Sequence, residues 1–162
     1  MATWKNILTE ASTSAPNLSV GGVDGTEAEF VSQTTAVDAA GEAEGTIVKF
    51  GNDGTTAGKV YTFSSGTWVE VDANDEAKTK GLLGMALGSN SSTNGMLVHG
   101  VGYLNHDPGN AGDILYISHS SPTGEISSTA PTDPGDFHRV VGHCLADNKV
   151  FFSPSQDYID LA

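Results

Sequence analysis

The sequence has very little cysteine, few basic residues and no long hydrophobic stretch, and each shortage excludes a class of protein. Among its 162 residues there is one cysteine, Cys144, which excludes an intrachain disulfide framework and a cysteine-based zinc site. No segment approaches the roughly 18 apolar residues in a row that a membrane-spanning helix needs. About the first 30 residues lack an apolar segment behind a basic start, so we expect no signal peptide.

The scarcity of basic residues restricts the partners. Seven Lys and Arg face 20 Asp and Glu, for a net charge of -13, and Arg139 is the sole arginine. Nucleic-acid binding needs clustered Lys and Arg to displace counterions from phosphates. We therefore expect neither a nucleic acid nor an anionic membrane as a partner. The acidic excess is expected to form a solvated surface that keeps copies apart; the alternative is that it meets a basic docking surface or bound cations.

Residues 1–45 are predicted to form an extended N-terminal arm and linker. Ile7 and Leu8 follow Trp4 by three and four positions, which suits one amphipathic helical turn. A single turn is not stable alone in water, so these three residues are candidates for contacts with a partner; the alternative is that they fold onto their own domain. The stretch 37–45 (VDAAGEAEG) is predicted to be a linker, because its composition cannot hold a core.

Residues 46–162 are predicted to form an all-β domain, either a β-sandwich or a barrel of jelly-roll-like type. Short runs rich in Val, Tyr, Phe and Leu alternate with Gly, Asn, Asp, Ser and Pro. Glycines inside several runs argue against helix, and no helical stripe follows residue 10. Loops at 64–66 and 147–148 are typical of hairpins. The predicted strands are 46–50, 59–63, 67–71, 81–87, 95–103, 113–117, 138–146 and 149–153.

Two of these strands carry residues that indicate subunit contacts. In 113–117, alternation places Ile114 and Tyr116 on one face and apolar residues on the other. This strand is therefore expected to be buried on two sides, one by its own sheet partner and the other available to another subunit. In 138–146, alternation places Arg139, Val141 and His143 on one face. Arg139 is thus a candidate contact at a subunit boundary, where arginine is favoured; the alternative is that it pairs with a local carboxylate.

The residues that could carry catalysis show no convincing arrangement. Cys144 and the adjacent His143 would face opposite ways in a strand, so they form no nucleophile–base pair, and Cys144 is predicted to be a small buried hydrophobic residue. The sequence contains no Gly-x-Ser-x-Gly, no Walker loop and no dinucleotide fingerprint. With 20 acidic residues, pairs of carboxylates arise by chance. We therefore expect no catalytic residues and no cofactor.

Metal sites are not indicated by spacing either. No two of the five histidines are four positions apart, as two ligands on one helical face would be. They are expected to be surface or hydrogen-bonded residues; the alternatives are a metal site assembled by the fold and a histidine ring on an oligomer axis. The oxygen-rich cluster Asp72, Asn74, Asp75 and Glu76 lacks the spacing of a calcium loop and is predicted to be a solvated loop. The histidines are His99, His106, His119, His138 and His143.

The second half of the chain carries a recognisable series of turns and strands. It runs Gly-Asp-x-Leu-Tyr from Gly112, then Arg-Val-Val-Gly from Arg139, then Phe-x-Pro from Phe152. This series resembles a module of tailed-bacteriophage virion proteins, particularly head-decoration, head-fibre and tail-fibre proteins. The opening MATWKNILTE is similar to the starts of marine-phage structural proteins. The resemblance covers about half the chain, and no catalytic residues come with it. The resembling segments are 81–89, 95–104, 110–118, 124–131 and 138–155.

The resemblance implies a capsid decoration (cement) protein on the outside of the virion, made in the host cytoplasm. Its partners would be the major capsid protein and itself, as a homotrimer. The β-domain would pack against its copies, and the arm led by Trp4, Ile7 and Leu8 would lie over the capsid or a neighbouring copy. Many weak contacts, multiplied by valency, would then stabilise the shell.

Two other functions compete with this one. A head-fibre or tail-fibre module would bind a host glycan or receptor through exposed aromatic rings such as Trp68 or Tyr103, although both fall in predicted strands. A cupin-like enzyme would need two histidines and a carboxylate on one inner face. By strand parity His99, His138 and His143 do not meet that requirement.

Overall fold

The computed structural model describes residues 17–20, 27–31, 37–119 and 123–162, whose regular secondary structure is nearly all β-strand. A curled antiparallel sheet forms a half-barrel, which confirms the predicted fold class. Residues 1–16, and with them Trp4, Ile7 and Leu8, lie outside the described residues, so the predicted arm contacts stay predictions.

The strands follow the predicted apolar runs closely and include several that were not predicted. The elements are β1 (Asn17–Val20), β2 (Glu27–Val31), β3 (Ala43–Lys49), β4 (Val60–Ser64), β5 (Thr67–Glu70), α1 (Glu76–Thr79), β6 (Leu82–Ala86), β7 (Met96–Tyr103), β8 (Ile114–Ile117), β9 (Ile126–Ser127), β10 (Phe137–His138), β11 (Val140–Ala146), β12 (Lys149–Phe152) and β13 (Ile159–Asp160).

The strand β7 is the centre of the sheet. It pairs with β3 along one edge, while its other edge pairs first with β6 and then with β12. From there the sheet continues through β11 and β8 to β9, and β6 continues through β4 to β5. A separate two-stranded sheet joins β10 to β13. Every pairing is antiparallel, which agrees with the short connections between neighbouring strands.

The curl of the sheet depends on glycine where two strands come unusually close. Gly100 in β7 pairs with Gly45 in β3 and has φ 140°. A Cβ atom added to Gly100 would lie 2.7 Å from the Cα atom of Gly45, closer than real side chains approach. Glycine inside a strand often marks such a close backbone approach, and here it lets the sheet bend.

Both predicted hairpins form, although the first has a two-residue turn where a three-residue loop was expected. Ser64 pairs with Thr67, so Ser65 and Gly66 make a two-residue turn, with φ of 51° and 87°. Positive φ at both central residues is the type I′ pattern that matches the twist of paired strands. In the second hairpin Asn148 adopts φ 61°, a conformation that asparagine tolerates better than most residues.

The apolar residues form two clusters. In the smaller one, the rings of Phe50, Phe63 and Trp68 lie 4.8–5.3 Å apart. Trp68 is buried there, and its indole nitrogen donates to the carbonyl of Phe50 at 3.1 Å. The main cluster fills the inside of the curl and consists of Ile47, Val60, Val71, Ala73, Leu83, Met85, Leu97, Leu104, Leu115, Ile117, Ile126, Val141, Cys144, Val150 and Phe152.

Two local predictions differ from the structure. The stretch 37–45 was expected to be a linker, but Val37 is buried and β3 already begins at Ala43. The register of β3 with β7 continues to Ala43, and the amide of Gly41 donates to the carbonyl of Tyr103, so the sheet holds the backbone of 41–45. A one-turn helix, α1, also occurs where no helix was expected; it begins because Asp75 accepts a hydrogen bond from the amide of Ala77.

Candidate functional site

A pocket of about 280 Å³ lies where the end of β8 meets the turn before β10. His119 lies two residues after the end of β8, and the turn contributes Asp133 and Asp136. The backbone fixes both walls, since the amide of Ala73 donates to the carbonyl of Ser118 and the amide of Phe137 donates to the carbonyl of Ala73. Ala73 therefore joins the segment that carries His119 to the segment that carries Asp133 and Asp136.

The acidic wall of this pocket is a tight turn with the sequence Asp133-Pro134-Gly135-Asp136. The amide of Asp136 donates to the carbonyl of Asp133 at 3.1 Å, and Gly135 has φ 89°. Proline followed by a glycine of positive φ is the signature of a type II turn. The turn is braced by the chain around β13, because the amide of Leu161 donates to the carbonyl of Asp136 at 2.8 Å. The turn holds its first and last residues, both aspartates, next to the same pocket.

The imidazole of His119 lies between the two carboxylates. Its Nδ1 is 2.6 Å from Oδ1 of Asp136, and its Nε2 is 3.7 Å from Oδ2 of Asp133. Hydrogen bonding to Asp136 raises the pKa of His119, and the charges of Asp136 and Asp133 raise it further. The three side chains are the one group of histidine, cysteine and acidic residues in the described part of the chain that is close enough to hold a metal ion.

Burial divides the three residues into one fixed group and two accessible ones. The side chain of Asp136 is 3% exposed, whereas those of His119 and Asp133 are 38% and 68% exposed. The Oδ2 atom of Asp136 is buried and accepts no hydrogen bond from any residue that the structure describes. A buried oxygen of this kind is costly unless a donor or a cation compensates it. The pocket is thus suited to a cation and offers it imidazole and carboxylate donors.

A second feature lies on the outer face of the half-barrel. Val101, Phe151, His143 and Ile114 are direct cross-strand neighbours on β7, β12, β11 and β8. We call these four residues the outer row. Ile114 is 45% exposed and Phe151 is 37% exposed, and His143 is exposed between them. The ring of His99 packs edge-on against Phe151, with centroids 5.4 Å apart. None of these four residues is Asp, Glu, Lys or Arg, and Glu44 on β3, the cross-strand neighbour of Val101, marks the end of the row.

Arg139 lies in a different place from the one predicted. It is 2% exposed, and its guanidinium donates to the carbonyl oxygens of Thr79, Gly81 and Ser155. Burial lowers its pKa. The side chain therefore braces loops within its own chain. Neither the predicted position at a subunit boundary nor the alternative pairing with a local carboxylate describes this arrangement.

The face prediction failed at this strand because β11 is irregular. Its register with β8 shifts between Val140 and Gly142, and a bulge moves the following residues to the other side of the sheet. Val141 is therefore buried, as is Arg139 just before the strand, while His143, expected on the same face, is exposed.

The other singled-out residues lie mostly where a structural role was expected. Cys144 is 1% exposed and free, so its prediction as a buried hydrophobic residue is confirmed, and burial raises its pKa. Trp68 is 4% exposed, in the core. His138 belongs to the separate small sheet, and its ring packs on that of Tyr116 in β8, at 4.5 Å between centroids. The Asp72–Glu76 cluster supplies the cap of α1 and local hydrogen bonds.

Sequence reasoning missed the pocket residues, although one signal was present. His119 was treated as an ordinary surface histidine, and Asp133 and Asp136 were not singled out. The tetrapeptide Asp-Pro-Gly-Asp predicts a tight turn, and such a turn brings its first and last residues close together. The sequence could not show that His119 packs against this turn, because that contact depends on the folding of β8 and β10.

Comparison with known protein families finds no family model that matches the chain, and comparison with curated proteins finds no match either. The resemblance to phage virion proteins therefore stays a prediction from the sequence. Within the described ranges, α1 is a single turn, and no helix has the length and hydrophobicity needed to cross a bilayer.

Proposed function

We propose that the protein is a structural subunit of a bacteriophage particle, a capsid decoration protein that works by binding. The observation that supports this function is the outer row, an uncharged and partly apolar strip across four strands of the half-barrel. Exposed apolar side chains that lie side by side are typical of protein interfaces, whereas scattered ones are ordinary. The sequence indicated the same surface, since both faces of the strand at Ile114 are apolar.

The partner that we assign to the outer row is another copy of the chain. Each copy carries a net charge of -13, so contact between two copies is opposed by repulsion over most of the surface. An uncharged strip is the region where two such copies can approach at the lowest electrostatic cost. Packing of Phe151 and Ile114 against a neighbour would also bury apolar surface that one copy leaves in water. We propose a homotrimer, with the segment led by Trp4, Ile7 and Leu8 of each copy over the major capsid protein.

The self-association is tested by adding a charge to the outer row. Phe151→Asp should convert the oligomer to a monomer in sedimentation equilibrium. Leu82→Asp, at a residue 44% exposed and outside the outer row, should leave it unchanged. Circular dichroism checks that both variants are folded. A wild-type chain that stays monomeric at high concentration would contradict the proposal, as would an oligomer that survives Phe151→Asp.

The location on a particle is tested with capsids. We expect mass spectrometry to detect the chain in purified phage particles, and we expect added protein to protect emptied capsids of that phage against heat. Deleting residues 1–10, which include Trp4, Ile7 and Leu8, should weaken cosedimentation with capsids while the thermal unfolding of the β-domain is unchanged. Binding to host cells but not to heads would favour the fibre function instead. Capsids that lack the protein and are equally stable would contradict the decoration function.

A further inference from the structure

We propose that His119 and Asp133 form a binding site for a divalent first-row transition-metal cation of the Zn²⁺ type, with Asp136 as the residue that positions the His119 ring. The site is independent of the outer row and of the proposed function. It would join the end of β8 to the turn before β10, and so act as a structural cross-link.

The gap between the two proposed ligand atoms suits such a cation. Nε2 of His119 and Oδ2 of Asp133 are 3.7 Å apart. Zinc binds imidazole nitrogen and carboxylate oxygen at about 2.0–2.2 Å, so two tetrahedral ligands are roughly 3.4 Å from each other. The observed gap therefore needs an adjustment of only a few tenths of an ångström. Both side chains are partly exposed, which permits that movement and leaves the other coordination positions open to water.

Asp136 fixes which ring nitrogen is available. Its Oδ1 accepts a hydrogen bond from Nδ1 of His119 at 2.6 Å, which is too short for a cation between those two atoms. The same bond directs Nε2 towards Asp133. Metal-binding histidines almost always donate their second ring nitrogen to a carboxylate or carbonyl in this way, which fixes the tautomer and the orientation of the ring.

The unpartnered oxygen of Asp136 is the second observation that points to a cation. Asp136 is 2% exposed, lines the pocket, and has a buried Oδ2 atom without a hydrogen-bond donor among the described residues. An ionised carboxylate held this way needs a compensating positive charge nearby. A cation at Nε2 of His119 polarises the imidazole and strengthens the hydrogen bond from Nδ1 to Oδ1 of the same carboxylate.

The donor set also predicts which metals bind. Imidazole with carboxylate suits Zn²⁺, Co²⁺, Ni²⁺ or Cu²⁺, whereas Ca²⁺ and Mg²⁺ prefer sites built from oxygen alone. Comparing the binding of Zn²⁺ with that of Ca²⁺ therefore distinguishes a specific site from general attraction of cations to an acidic surface.

The test is isothermal titration of the full chain with ZnCl₂ and, separately, CaCl₂, after treatment with a chelator. We expect one Zn²⁺ per chain and no comparable binding of Ca²⁺. Zinc binding should be lost in His119→Ala and in Asp133→Asn. It should be retained in the control variant Asp157→Asn, which alters an exposed carboxylate outside the pocket. Asp136→Asn should weaken binding by about 10- to 100-fold, the usual effect of removing a carboxylate that orients a ligand.

A second measurement separates the site from other histidines. In a nitrogen NMR spectrum of the histidine rings, Zn²⁺ should shift Nε2 of His119 before any other ring nitrogen, also in the Phe151→Asp variant. Should His119→Ala fail to fold, Asp133→Asn decides the question, because its side chain is 68% exposed and can be replaced without disturbing the core. No zinc binding, equal binding of Ca²⁺, or full zinc binding by Asp133→Asn would each overturn the proposal.

Discussion

At the scale of single residues, the sole arginine shows how a charged side chain can serve the interior. Arg139 is buried and directs its donors to three carbonyl oxygens from distant parts of the chain. The planar guanidinium suits this role because it offers five donors in a fixed arrangement. Replacing it would remove the donors of those carbonyl oxygens, including that of Thr79, which is fully buried.

We therefore predict that Arg139→Met lowers the free energy of unfolding by at least about 3 kcal/mol, since a hydrogen bond to a charged group contributes about 1.5–3 kcal/mol. Urea unfolding measures the change. Lys80→Met is the control; its ammonium is 50% exposed beside Glu76, so its loss should change stability by less than about 1 kcal/mol. Equal effects of the two substitutions would contradict the role assigned to Arg139.

Glu70 gives a prediction on pH. Partial burial alone would raise its pKa, but hydrogen bonds from Thr123 at 2.5 Å and from Lys59 at 3.0 Å outweigh burial and lower it. A carboxyl with a lowered pKa adds stability that is present above its unfolded pKa of about 4.3 and is lost as the pH falls through the folded pKa.

Glu70→Gln should therefore make the loss of stability below about pH 5 less steep, as followed by urea unfolding at a series of pH values. Thr123→Ala should have the same effect to a smaller extent, because it removes one of the hydrogen bonds. If stability depends on pH identically in Glu70→Gln and the wild type, the hydrogen bonds to Glu70 do not contribute to the acid dependence.

At the scale of elements, glycine sets how close strands approach. Gly100 and Gly112 both have positive φ, but an added Cβ atom would collide with the backbone of β3 at Gly100 and would meet nothing within 4 Å at Gly112. The pair therefore separates the effect of close approach from the effect of backbone conformation.

We predict that Gly112→Ala costs about 1–2 kcal/mol for its conformation alone, whereas Gly100→Ala costs more than about 3 kcal/mol because β3 and β7 must move apart. Thermal or urea unfolding compares the two variants. Equal losses would mean that close approach at Gly100 contributes nothing to the curl.

The elements also show what can be predicted from the sequence. Alternation and turn residues locate the strands well, because the hairpins at Gly66 and Asn148 depend on local chemistry. Bulges are not visible in alternation, and the one after Val140 is enough to separate Val141, which is buried, from His143, which is exposed. The pocket at His119 was not predicted for a related reason, since it depends on contacts between segments distant in sequence.

At the scale of the whole molecule, the net charge and the outer row have opposite effects on self-association. Repulsion between copies of net charge -13 is screened by salt, with a Debye length of about 8 Å at 0.15 M and about 3 Å at 1 M. If the outer row joins the copies, self-association should strengthen as salt is added, because the apolar contact is not weakened by screening.

Sedimentation equilibrium at increasing NaCl concentration checks this expectation. Phe151→Asp should abolish association at every salt concentration, which serves as the control for nonspecific salting out. Association that weakens with salt would indicate an interface made by ion pairs and would contradict the assignment to the outer row.

The position of β7 has a consequence for how the molecule opens. Its backbone is held by β3 on one side and by β6 and β12 on the other, so no single neighbouring strand can detach and free all its amides. Deuterium should therefore enter β7 last, through global unfolding alone, whereas strands such as β5 and β9, each paired with one neighbour, exchange by local fraying. Solvent reaches the middle of this sheet only when the fold as a whole is lost.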